Sequence, residues 1–129
     1  AFRFSGDEKT LAAIHLGRWL LLYDGATFKQ RAKIEVLPDG QWLTALAHSP
    51  TQPIVATSGW DGMLRLYSSA EADAGRLLWS AKLGQAKALA FAPSGNELLV
   101  ASTDPERIVR LAISVVAGNR QSDRPLGHR

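Results

Sequence analysis

One pattern occurs three times in this chain at a spacing near 44 residues, and it limits the possible folds more than any other feature. Phe2-Arg3-Phe4-Ser5-Gly6 leads into Leu11-Ala12-Ala13-Ile14. Leu46-Ala47-His48-Ser49-Pro50 leads into Ile54-Val55-Ala56-Thr57-Ser58. Leu89-Ala90-Phe91-Ala92-Pro93-Ser94-Gly95 leads into Leu98-Leu99-Val100-Ala101-Ser102. Phe4, His48 and Phe91 fall in register, and so do Tyr23, Tyr67 and Ala112. A unit of this size has apolar faces that it cannot hide alone, so neighbouring copies must stack on one another.

Within each copy the signal is that of short strands. Apolar and β-branched runs are cut by Gly, Pro, Asp, Asn and Ser. Strands are expected at 1–5, 10–15, 18–24 and 29–36 in the first copy, and at 42–48, 53–58, 63–68 and 76–83 in the second. The third has 86–92, 97–102 and 107–113, with a fourth strand near 114–117. Pro38-Asp39-Gly40, Trp60-Asp61-Gly62 and Pro93-Ser94-Gly95-Asn96 read as tight turns, because Gly accepts positive φ and Asp bonds nearby backbone. Asp61, Gly62, Pro93 and Gly95 are therefore expected to be structural turn residues. Glu71-Ala72-Asp73-Ala74 is the one place where a single helical turn is expected.

Four strands in a repeat of this length are the signature of a propeller blade. The chain resembles the WD-repeat family. Ser49-Pro50 and Phe91-Ala92-Pro93 match its corner, and Val55-Ala56-Thr57-Ser58-Gly59 matches its second strand. Asp61 stands where the family has a turn aspartate, and Leu22-Tyr23-Asp24 stands where Leu-Trp-Asp is usual. The chain departs from the family in having no Gly-His pair at the opening of a blade. Tyr23, Tyr67 and Ala112 replace the usual Trp, and Gly17 and Glu106 replace two turn aspartates. The resemblance implies an all-β fold, a β-propeller segment of about three four-stranded antiparallel blades. These would cover 1–37, 38–83 and 84–117, before a basic flexible tail at 118–129. The expected partners include the remaining propeller blades, supplied by an omitted part of the same polypeptide or by another chain, because three blades leave two sheet faces open.

The resemblance also implies where partners would dock. The residue before the turn aspartate, Trp60, and the opening residue of the second blade, Trp42, would face the top rim. Gln85 is the matching position in the third blade. Strict alternation over 42–48 would put Trp42, Thr44, Leu46 and His48 on one side of the strand. Trp19 and Trp79 sit inside strand patterns and are expected in the core. His48 replaces a corner Phe and reads as a partly buried structural residue.

Chemistry is hard to find. There is no cysteine, and His15, His48 and His128 lie at no metal-ligand spacing, so no metal and no cofactor is expected. Neither a Gly-x-Ser-x-Gly elbow nor a phosphate-binding glycine loop occurs, so no catalytic residue is assigned and the chain is not expected to be an enzyme. The net charge of +3 comes largely from Arg120, Arg124 and Arg129 in the tail. Lys29, Arg31 and Lys33 would form a small basic stripe on one strand face, continued by Glu35 and without interleaved aromatics. Nucleic acid is therefore not an expected partner. No apolar run approaches the roughly 20 residues that span a bilayer, so no membrane partner is expected either. The absence of cysteine fits a reducing, cytoplasmic compartment.

The function expected from these readings is a protein-protein interaction platform, or a sensor and regulatory module of a larger signalling or multi-subunit protein. A fragment of a lactonase-like or other propeller hydrolase is the alternative, and a structural oligomerisation module is a third.

Overall fold

The computed structural model describes residues 2–103 and 106–113. The fourth strand expected near 114–117 and the tail at 118–129 lie outside the described residues. The first sheet holds β1 (Phe2–Phe4), β2 (Thr10–His15), β3 (Trp19–Asp24) and β4 (Gln30–Glu35). The second holds β5 (Leu43–His48), β6 (Ile54–Gly59), β7 (Met63–Ser68) and β8 (Leu77–Lys82), with one 3-10 turn at Glu71–Asp73. The third holds β9 (Ala86–Phe91), β10 (Glu97–Thr103) and β11 (Glu106–Ala112). Each is an antiparallel meander in which consecutive strands pair. Among the described residues no helix is long and apolar enough to cross a membrane.

The sheets stack face to face, with β5 lying beside both β1 and β9. Strand alternation explains how one sheet serves two neighbours. Val55, Leu46 and Tyr67 of the second sheet meet Ala12, Leu20 and Leu22 of the first. Ile54, Ala56, Leu64 and Leu66, from the opposite face, meet Ala86, Leu98 and Val100 of the third. Every residue of β6 is consequently buried. The outer face of the first sheet carries Phe2 and Phe4, and that of the third carries Ile108, all strongly exposed.

Two of the four register shifts among the described strands correct simple alternation. The register between β5 and β6 shifts between Leu43 and Ala45. Thr44 is turned aside there, and its hydroxyl donates to the Ala86 carbonyl at 2.7 Å in the next sheet. Leu46 lies in the core facing the first sheet, so Thr44 does not share its side as strict alternation requires. A second shift, where β4 pairs with Leu22 and Tyr23, breaks the expected basic stripe. The Arg31 guanidinium folds back to Thr10 Oγ1 at 2.9 Å and to Asp24 at 3.1 Å. Asp24 also accepts from the backbone of Thr27 and Ala26, and these bonds, with Arg31, hold its carboxyl down to about 2. Trp79 packs against the core between the second and third sheets. Trp19, expected in the core, instead lies outside both cores between Arg18 and Lys33, whose charges sit 5.3 and 4.9 Å from its ring centre.

Candidate functional site

The turns β2–β3, β4–β5, β6–β7 and β8–β9 gather at one end of the stacked sheets. Backbone hydrogen bonds lock them into a row. Leu43 N donates to Gly17 O at 2.6 Å, Trp60 N donates to Trp42 O at 2.9 Å, and Leu83 N donates to Gly62 O at 2.9 Å. Along this row stand two large apolar side chains with about half their surface in solvent, Trp42 (49%) and Trp60 (53%). Their ring centres are 6.4 Å apart at a tilt of 57°, within the range of favourable aromatic pairs. The Gln85 carboxamide donates to the Trp60 carbonyl at 3.0 Å. Trp42, Trp60 and Gln85 therefore form one patch, although they are far apart in the chain.

The patch is held by its supports. Asp61 Oδ1 accepts from Met63 N at 3.0 Å, and its other oxygen pairs with Arg65 at 2.8 Å, which fixes the turn that carries Trp60. Gly62 has a φ of 78°, a conformation that favours glycine. The Trp42 ring rests on Gly17, where a Cβ would overlap the indole carbons Cε3 and Cζ3. Gly17→Ala should therefore push Trp42 away from Trp60, and the positive φ of 74° adds roughly 1–2 kcal/mol of backbone cost. Indoles this close couple excitonically, so far-ultraviolet circular dichroism should show a couplet that Gly17→Ala abolishes. An unchanged couplet would contradict this seating.

Pro93 and Gly95 lie at the opposite end, in the β9–β10 turn, and do not join the patch. Gly95 N donates to Ala92 O at 2.8 Å, and the glycine lies so close to Thr51 that a Cβ would overlap its hydroxyl. At that end a cavity of about 270 Å³ opens between the first and second sheets, lined by Asp7, Thr10, His48, Ser49 and Ser69 among others. His48 Nδ1 lies 2.7 Å from the Ser49 carbonyl, which can only accept, so Nδ1 carries the proton. Nε2, 2.7 Å from Ser69 Oγ, then accepts from that hydroxyl. Ser69 is 1% exposed, so this serine-histidine pair ties two turns together and offers no accessible nucleophile.

Burial pushes the His48 imidazole below its usual range, opposed by its bond to Ser49 and by the charge of Asp7. Its depressed folded value means that the unfolded chain binds the proton more readily. His48 thus contributes stability above about pH 6.5, the unfolded value, that is lost as pH falls through the folded one. Replacing it with the corner residue of the other copies, in His48→Phe, should flatten the dependence of thermal stability on pH below about pH 6.5. An identical pH slope in the variant would rule out His48 as the titrating group.

Comparison with known proteins adds to this geometry. The family model for the WD domain, G-beta repeat (WD40), matches residues 33–68, from within β4 to the end of β7. The fold is that of β-propeller blades. The chain is similar in structure to the β-propeller domain of Cps50 (Swd1) from Myceliophteria thermophila, with a TM-score of 0.67, 12% identity and 89% of this chain covered. It is also similar to a chain in the crystal structure of the Mitotic Checkpoint Complex, with a TM-score of 0.67, 17% identity and 87% covered. This chain spans 35% of the length of each of these. No curated protein sequence matches it.

Of the residues expected to bind partners, Trp42, Trp60 and Gln85 all lie on the patch. Sequence reasoning missed Leu16, which precedes Gly17 and is 68% exposed at the same end. The signal was available: a Leu-Gly pair between two strands puts a bulky residue where a hairpin turn wants Asn or Gly.

Proposed function

We propose that this WD40 segment is a protein-interaction platform, or the sensing module of a larger protein, and that Trp42, Trp60 and Gln85 hold its partner. The observation that supports this most is the exposed tryptophan pair assembled from separate turns on rigid sheets. Aromatic pairs of this kind bury much area at little conformational cost and dominate binding energies. The open outer faces of the first and third sheets fit further blades, from the same polypeptide or from another chain.

The test begins by selecting binders from a displayed random-peptide library, then titrates them calorimetrically. Trp60→Ala and Trp42→Ala should each weaken binding at least tenfold. Unchanged affinity in both variants would dismiss the patch as the binding site.

A further inference from the structure

We propose, resting on that reading of the patch, that its partner is an extended, uncharged apolar peptide segment and that Leu16 is a third anchor for it. Leu16 has a φ of 53° and Gly17 one of 74°, with Arg18 N donating to His15 O at 3.2 Å. Two successive positive φ values make this a type I′ hairpin turn, whose first central position favours Asn, Asp or Gly. A leucine there opposes the local backbone preference. It also gains nothing from burial, since most of its side chain is in solvent. Neither turn chemistry nor core packing accounts for it. Its place beside the seat of Trp42 does, because it extends the apolar row across the turns of the first sheet. The row then runs from Leu16 through Trp42 and Trp60 to Gln85, drawing on three sheets in succession, which suits an extended chain more than a compact domain.

The charges at this end indicate the partner's character. Arg18 pairs with Glu35, Arg65 with Asp61 at 2.8 Å, and Lys87 with Glu106 at 3.0 Å. Of the other described charges there, Asp39 lies 4.0 Å from Arg18, Lys82 runs beside Gly62, and Arg107 stands exposed on β11 opposite Ser102. Most of these charges are paired and only a small positive excess is left, too little to recruit a strongly charged partner.

The experiment uses Leu16→Asn, which places the preferred Asn-Gly pair in the turn and so keeps or raises folding stability. Peptides selected on the wild-type chain should be apolar and uncharged in the bound stretch. Leu16→Asn should weaken them about tenfold, the worth of one buried leucine side chain. Raising salt from about 0.05 to 0.5 M should change their affinity by less than about twofold. If Leu16→Asn leaves affinity unchanged, or if charged peptides win and salt weakens them tenfold, this inference falls. The tryptophan patch would still stand provided Trp42→Ala and Trp60→Ala lose binding. If those two variants bind normally, both readings fall together.

Discussion

Truncating Leu66 to alanine is expected to cost about 3 kcal/mol of folding free energy, within the usual range of about 2–5 for a buried leucine. Leu66 is fully buried between the second and third sheets, among Ile54, Leu64, Leu98 and Val100. Sheets cannot close around the lost volume, because their spacing is set by the residues on either side. Lost transfer energy and the residual cavity therefore add. Urea unfolding should show a lower midpoint with an unchanged slope. Ile108→Ala is the matched control. Ile108 is 63% exposed on the outer face of the third sheet, and its loss should stay within about 0.5 kcal/mol. Equal effects at the two positions would mean that the second and third sheets do not pack as described.

The largest binding effect is expected from Trp60→Ala, a loss of about 2 kcal/mol or more, near thirtyfold in affinity. Trp60 stands between Trp42 and the Gln85 side chain. Its removal takes away an anchor and leaves Trp42 without its neighbour. Folding stability should change little, because the turn is fixed by Asp61 and Gly62 rather than by the indole. Leu77→Ala, at an apolar residue of similar exposure in the outer strand of the same sheet, should leave affinity unchanged. A loss of binding in both variants would indicate general surface stickiness instead of a site.

Much of this architecture was legible in the sequence because the repeat carries the strand pattern in register. Met63–Ser68 begins after Asp61-Gly62 and ends at Ser68-Ser69, where the apolar run stops. The register of the repeat also singled out Gln85, the position in the third copy that corresponds to Trp42, with no help from its own chemistry. What misled was local. A β-bulge adds one residue with no fixed sequence mark, so the alternation read through Thr44 and Arg31 failed at both positions. Trp19 was misplaced for another reason. Leu20, Leu21 and Leu22 are all buried, so hydrophobicity along β3 does not separate the face toward the second sheet from the outer one. The Trp42–Trp60 contact depends on how neighbouring turns are tied by Leu43, Gly17 and Trp60 backbone bonds, which no spacing in the sequence encodes.

The chain has four tryptophans, two on the patch and two away from it, and these serve as built-in reporters. Heteronuclear NMR of a selected peptide titrated into the chain is the most direct measurement. The indole signals of Trp42 and Trp60 and the side-chain amide of Gln85 should shift together, with one saturation curve, while those of Trp19 and Trp79 stay in place. Shifts centred on Trp19 or Trp79, or a patch whose three members respond separately, would contradict the account.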